Sequence, residues 1–301
     1  MDGIIVINKP EKFTSFDVVA VMRGVAKTKK VGHTGTLDPM ATGVLPLLFG
    51  NATKAQSLLP DSSKEYIAEF KLGLTTDTLD IWGTVKENKT VSISANDIET
   101  LLPKFTGDIL QLPPMYSAVQ KDGKRLYELA RQGIEVEREK RPINIGTLKL
   151  LNYDESNYTG KLLISCSKGT YIRSLIDDIG AELGCGAVMT SLCRTSACGF
   201  TLENAITIEE AKELANLNNL QSVLHSVEGV FTPYRQVIVS QPQAKRFCNG
   251  GQLDLSRLKI KNLTDGEIIR VKCQDNKFIG LGKADFSNNW LAIYKLFDNI
   301  I

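Results

Sequence analysis

The chain has 301 residues, 43% hydrophobic and 23% charged, which excludes disorder and fits an ordinary soluble globular protein with one large domain and a small one. No apolar run approaches the length of a signal h-region or a membrane span, so a cytoplasmic location is expected. The formal net charge is only +2, yet residues 235–301 carry eleven Lys/Arg against six Asp/Glu, an asymmetry that points to a polyanionic partner.

Gly3 to Asn8 is rich in Ile and Val and reads as a buried strand ending at Lys9 and Pro10. Thr14 and Asp17 have the spacing of a capping box, so a helix runs from there to about Ala26. Arg23, Lys27, Lys29 and Lys30 follow in a stretch, 18–37, that contains no acid. Next comes Gly32 to Leu45, GHTGTLDPMATGVL, with three glycines, a proline, one of the chain's 2 histidines and a lone carboxylate. No regular element has that composition. Gly32 and Gly35 can take φ > 0 and Pro39 fixes φ after Asp38, so the stretch reads as a stiff loop presenting Asp38. A surface turn with a capping Asp is the commoner outcome for such loops, and the loop alone does not decide.

Lys64 to Gly73 alternates as a strand with Tyr66, Ala68, Phe70 and Leu72 on one face. Tyr66 thus faces inward, as a structural tyrosine or as a platform for a flat ligand. Thr75 to Gly83 reads as a polar turn in which Asp77 and Asp80 cap backbone groups or orient a cation. Ser94 with Asp97 opens a short helix carrying Ile98, Leu101, Leu102 and Phe105 inward. From Gln111 to Arg141 the chain passes from paired prolines to dense mixed charge and reads as a mobile insertion. Seven basic and five acidic residues between Lys121 and Arg141 fit a solvated flap or an RNA-gripping lid, and the count separates neither.

Leu162 to Ser167 is a further strand, turning at Lys168 and Gly169 into a helix capped by Thr170, with Ile172, Leu175, Ile176, Ile179 and Leu183 as its apolar stripe. Tyr171 and Arg173 flank the stripe. An arginine in a first turn meets the positive end of the helix dipole, so Arg173 calls for a carboxylate or phosphate partner. Thr207 with Glu210 starts the last helix of the large domain, and Phe231 to Pro233 marks its boundary. Beyond it, short strand-like runs at 237–239, 268–271, 278–281 and 290–296 predict a small basic β-barrel or sandwich, a pattern suited to an accessory nucleic-acid grip.

Six cysteines without a C-x-x-C pair indicate neither a metal site nor a disulfide framework. Dinucleotide, P-loop and zinc-protease motifs are absent, and with only His33 and His225 a Ser-His-Asp arrangement is nearly excluded. A cofactor-free reaction carried by a carboxylate remains, with Asp38 the best-presented candidate.

GHTGTLDPMATGVL, preceded by INKP at 7–10 and TS at 14–15, resembles the signature of the TruB-type tRNA pseudouridine-55 synthases. KEYIAEFKLG, TTDTLD, LPPMYSAVQKDGKRLYELAR, GTYIRSL and FIGLGKA are similar to later blocks of that family in the same order. The resemblance implies an α+β fold: a pseudouridine-synthase core (1–233) with a mixed sheet flanked by helices and loops and an RNA-gripping insertion at about 111–142, then a PUA-like RNA-binding β-barrel domain (234–301). It implies isomerisation of a uridine in the T-loop of tRNA, by base flipping and without a cofactor. Asp38 would be the catalytic carboxylate and Arg173 its salt-bridge partner. Tyr66 would stack on the uracil, and Tyr171 would hold the cleft and take part in proton transfer. His33 would wedge into the T-loop. Lys9 and Pro10 would support the cleft floor, Asp80 and Leu192 would line it or hold its loops, and Lys121, Arg125, Arg131 and Arg141 would grip RNA. Family members often carry a second arginine after that leucine; here Cys193 stands before Arg194. The chain begins directly at the first strand, which favours a stand-alone monomer whose partner is the T-arm of tRNA, with no membrane and no obligatory protein partner. A non-catalytic RNA-binding protein and a carboxylate-nucleophile hydrolase are the other classes; the full set of Asp38, Tyr66, Tyr171 and Arg173 and the lack of a second acid beside Asp38 weigh against them.

Overall fold

The computed structural model describes residues 1–60 and 63–297, so the last four positions of the C-terminal segment lie outside it. Gly3–Lys9 (β1) leads through Thr14, whose hydroxyl accepts from Asp17 N–H in the expected capping box, into Ser15–Val25 (α1). Val31–His33 (β2) and Thr42–Phe49 (β3) pair antiparallel, and Lys64–Leu72 (β4) follows. Leu74–Thr76 (β5) and Val85–Asn88 (β6) form a hairpin, Ala95–Leu101 (α2) starts at the Ser94–Asp97 box, and Gly107–Gln111 (β7) comes next. A small hairpin, Gln120–Lys121 (β8) and Lys124–Arg125 (β9), and the helix Leu126–Ala130 (α3) precede Arg141–Asp154 (β10) and Thr159–Cys166 (β11). Ile172–Glu182 (α4) and Ala187–Ala197 (β12) come next, then the short strands Phe200–Thr201 (β13) and Ala205–Ile206 (β14) and the helix Ile208–Asn216 (α5). The C-terminal part holds Gln236–Ile238 (β15), Gln241–Cys248 (α6), Leu253–Asp254 (β16), Ile268–Lys272 (β17), Phe278–Asp285 (β18) and Trp290–Leu296 (β19).

Among the described residues, ten strands form one mixed sheet in the order β14-β1-β3-β12-β4-β11-β10-β7, with β2 on β3 and β13 on β12. Its β1–β14 and β12–β3 pairs are parallel and the others antiparallel. The near-continuous apolar run of β1 follows from burial on both faces. Ile5 and Ile7 pack with Val18, Met22, Leu175 and Ile208 under the helices. Ile4 and Val6 pack on the other side with Val44, Phe231, Leu281 and Phe297, so one apolar cluster joins this sheet to the C-terminal five-stranded sheet, β15-β17-β18-β19-β16. The α+β architecture with a small terminal β-unit is as expected; the sequence pattern there shows only strands, and the structure adds α6.

Three local expectations are corrected. The stretch 32–45 is not irregular throughout, because β2 and β3 take both its ends and leave a loop of 34–41. Neither Gly32 nor Gly35 has a positive φ; Gly43 does, at +102°, where a Cβ would strike the Arg194 carbonyl. Thr170 does not cap α4: its hydroxyl donates back to Ser167 O at 3.0 Å, and the cap position is Tyr171, which supplies no side-chain bond.

Candidate active site

The loop 34–41 is held from three sides. Ser15 Oγ accepts from Leu37 N–H at 2.8 Å and faces Leu37 O at 3.2 Å, which fixes the residue before Asp38. Lys9, fully buried, donates its three ammonium protons to the carbonyls of Pro10 (2.8 Å), Phe13 (2.6 Å) and Pro39 (3.3 Å), which fixes the residue after it. Arg194, also fully buried, donates to the carbonyls of Val44 (2.7 Å), Gly35 (3.1 Å) and Thr36 (3.4 Å). A loop whose carbonyls are taken by two buried cations has little freedom left, and its carboxylate is preorganised.

Asp38 is the anionic partner that the position of Arg173 demands. The Arg173 Nε lies 2.9 Å from Asp38 Oδ2, and Nη1 lies 3.6 Å from Asp80 Oδ2. The rest of the fork donates to Thr78 O (2.9 Å) and Tyr116 O (3.0 Å), so one buried guanidinium ties the Asp38 loop, the polar turn and the insertion together. Asp80 plays both roles open to it: its Oδ1 accepts from Thr78 Oγ1 and Trp82 N–H while Oδ2 faces Arg173. Asp38 keeps 36% of its side chain accessible, and among the described residues its Oδ1 has no donor.

Two tyrosines lie within electrostatic reach of this carboxylate. Tyr66 is inward on β4 and 6% exposed; burial pushes its phenol up to about 12 against the charge and hydrogen bond of Arg194, and the Asp38 charge adds a smaller upward push. Burial raises Tyr171 as well, with Ser117 and Arg141 pulling the other way. Both are neutral phenols across the physiological range. The Tyr171 backbone is clasped by Gln111, whose Oε1 accepts its N–H at 2.8 Å and whose Nε2 donates to its carbonyl at 3.0 Å.

A family model for the N-terminal domain of TruB family pseudouridylate synthases matches residues 23–172, and one for the C-terminal domain of tRNA pseudouridylate synthase B matches 173–232. A relative from Clostridium kluyveri named tRNA pseudouridine synthase B is 43% identical over 98% of this chain and 100% of its own length. The chain belongs to the TruB family of pseudouridylate synthases. A Stutzerimonas stutzeri relative of the same name is 41% identical over 94% of this chain and 92% of its own length. The fold is also that of a chain in the crystal structure of a Cbf5-Nop10-Gar1 complex, with a TM-score of 0.75 at 23% identity, over 98% of this chain and 85% of that one.

In this TruB-family chain the remaining expected residues fall into two groups. Pro10 accepts from Lys9, Leu192 is buried beside Ala68 in the sheet, and Arg141 on β10 is close enough to act on Tyr171. His33 ends β2, half-buried, and burial together with the Arg194 charge lowers its pKa, so the imidazole is neutral at physiological pH. Lys121, Arg125 and Arg131 instead make their contacts within the insertion: Lys121 donates to Glu137 O, and both arginines lie over the Tyr127 ring. The insertion is the connection between β7 and β10, whose Gln111 and Arg141 pair at its two ends. Cys193 sits in the sheet between Thr42 and Ile67, and it is the next residue, Arg194, that holds the loop. Arg194 is the functional residue that motif reading overlooks; its signal is a charged residue two positions from Leu192, on the same core-facing side of a strand.

Lys9 gives the site a testable pH dependence. Burial lowers its pKa from 10.5 to about 8, against the opposing effect of Asp38. Over that window the unfolded chain binds a proton that the folded chain has lost, so this group's contribution to stability rises with pH. Activity runs the other way, because a neutral amine has two protons for three carbonyls and releases one of the loop's anchors. Turnover is expected to fall above about pH 8 without a matching loss of folding stability. The fall should be absent from a slower Lys9→Met variant, and a flat wild-type profile to pH 10 would contradict it.

Proposed function

We propose that this protein isomerises uridine to pseudouridine in tRNA, at position 55 of the T-loop, with Asp38 as the catalytic carboxylate. The observation that carries the reading is the Asp38–Arg173 pair at 2.9 Å, with the Asp38 side chain still 36% accessible and its charge felt by buried Tyr66 and half-buried Tyr171. The names of the relatives, tRNA pseudouridine synthase B, support tRNA as the substrate. In the reaction the N1–C1′ bond breaks, the uracil turns and C5 joins C1′; C5 loses a proton and N1 gains one, so composition is unchanged. Arg173 orients Asp38 at the sugar, Tyr66 supplies a flat apolar face for the flipped base, and Tyr171 closes the cleft beside it. His33, neutral and at the end of β2, fills the space the base leaves in the RNA. Lys121, Arg125, Arg131 and Arg141 hold the RNA from the insertion, and the C-terminal part, from residue 234, serves as a PUA-like RNA-binding domain. Incubation with an unmodified tRNA transcript, followed by mapping at single-nucleotide resolution, is expected to give pseudouridine at position 55. No product, or product at scattered positions, would reject the assignment.

The C-terminal grip has its own test. Deleting residues 235–301 would strip Leu281 and Phe297 from the cluster that covers Ile4, Val6 and Phe231, and so confounds binding with folding. Neutralising the exposed Lys259, Lys261 and Lys283 to Gln avoids this. Weaker tRNA binding is expected, with a log–log salt slope lower by about 2; an unchanged slope would remove the terminal sheet from the interface.

A further inference from the structure

We propose that α1 and the turn after it form an RNA-binding strip beside the catalytic loop, with Phe16 a stacking platform for an unpaired base and Arg23, Lys27, Lys29 and Lys30 a track for backbone phosphates. The proposal rests on the reading of this protein as an enzyme acting on RNA. Phe16 is 64% exposed in the first turn of a well-capped helix, although Val18, Val19 and Met22 of the same helix are buried. Nothing in the packing of α1 requires an aromatic ring there. Seven residues on, and so on the same face, Arg23 holds its guanidinium 5.6 Å from the centre of that ring while donating to Val31 O. The ring is thus backed by a cation on one side and open to solvent on the other.

Beyond the Arg23 contacts with Val31 O and Phe16, the charge around the ring has no partner of opposite sign among the described residues. Among the described residues, Arg23, Lys27, Lys29 and Lys30 form no ion pair, and residues 18–37 contain no acid. The helix dipole accounts for a cation in the last turn, but not for three exposed lysines beyond it. Lys27 stands at φ 47°, in the left-handed position after the helix where Gly or Asn is favoured; Thr28 N–H bonds Arg23 O and Lys27 N–H bonds Gly24 O around it. A lysine in that position exposes its ammonium at the corner of the turn.

Placement connects the strip to chemistry. Phe16 follows Ser15, whose hydroxyl fixes Leu37, and Leu37 precedes Asp38. At the other end Lys30 enters β2, which finishes at His33. The one acid of the strip, Asp17, is engaged by Thr14 N–H and Oγ1 in the capping box; an exposed aromatic and lysines without an ion-pair partner fit an unpaired nucleotide with its flanking phosphates, since a base offers a π-face and the backbone offers the missing anions.

The test is a binding titration of the full-length protein with an unmodified tRNA transcript at several salt concentrations. The Lys27→Gln, Lys29→Gln, Lys30→Gln triple variant is expected to bind more weakly, with a salt slope lower by about 2. Phe16→Ala is expected to raise Kd roughly ten- to hundredfold with the slope unchanged, and Phe16→Trp to restore binding. Should Phe16→Ala melt early, Phe16→Leu carries the comparison, because it keeps the apolar contact and lacks the π-face. An unchanged slope in the triple variant, or Phe16→Ala and Phe16→Leu both within twofold of wild type, would overturn the strip. Binding is read without turnover, so the two readings separate. Strip-dependent binding without pseudouridine defeats the proposed reaction alone, and pseudouridine formed without strip dependence defeats the strip alone.

Discussion

Asp38→Asn is expected to abolish pseudouridine formation, a loss of at least about 10⁴-fold, while tRNA binding stays within a small factor of wild type. The substitution is close to isosteric. The amide oxygen can still take the Arg173 Nε–H that Asp38 Oδ2 takes at 2.9 Å, and Arg173 keeps Thr78 O, Tyr116 O and Asp80, so the site should remain assembled. What disappears is the anionic oxygen open to the cleft. Attack on C1′, attack on C6 and abstraction of the C2′ proton all need that charge, so the variant tests the carboxylate and not the route. Tritium release from [5-³H]uridine tRNA, read beside filter binding, separates the two effects. Measurable turnover would end the assignment of Asp38, and lost binding would mean that the charge serves RNA recognition instead.

The parts of the site legible in the sequence are those where a local rule is broken. A proline after a lone carboxylate, and an arginine in the first turn of a helix, each conflict with the bland alternative, and the structure brings Asp38 and Arg173 to 2.9 Å. Strands and capping boxes were legible for the opposite reason: Tyr66 to Leu72 and Thr14 to Asp17 obey their rules over several residues. What one dimension hides is the distant partner. Nothing near Gln111 in the chain shows that its amide will clasp the backbone of Tyr171, and Arg194 reaches Gly35 across 159 positions. The role of the glycines is hidden for a related reason. Gly43, not Gly32 or Gly35, has the left-handed φ, because the constraint is the approach of the Arg194 carbonyl from another strand. Thr170 looked like a cap, but a threonine can equally close the preceding turn, and Gln111 had already satisfied the backbone of Tyr171.

Arg173→Lys should lower kcat by about 10²- to 10³-fold while retaining the positive charge, because the charge is the smaller part of what this residue does. Its fork serves acceptors on three segments: Asp38 in the loop, Thr78 O and Asp80 in the polar turn, and Tyr116 O in the insertion. An ammonium has three protons around one point and cannot span these acceptors together. Lysine keeps a cation opposite the two carboxylates, so the penalty of about 3–5 kcal/mol for leaving a buried charge unpaired is largely avoided, and the protein should fold. Asp38 would then be neutralised but not aimed. The same substitution frees Tyr116 O, which predicts faster hydrogen exchange and earlier proteolysis in the insertion at 111–142, with the flanking strands unchanged. A fall in kcat with these local changes and a near-native melting temperature would establish Arg173 as the clamp joining the three segments. Wild-type turnover in the lysine variant would show that charge alone suffices, and a slow enzyme with an unaltered insertion would confine its work to Asp38.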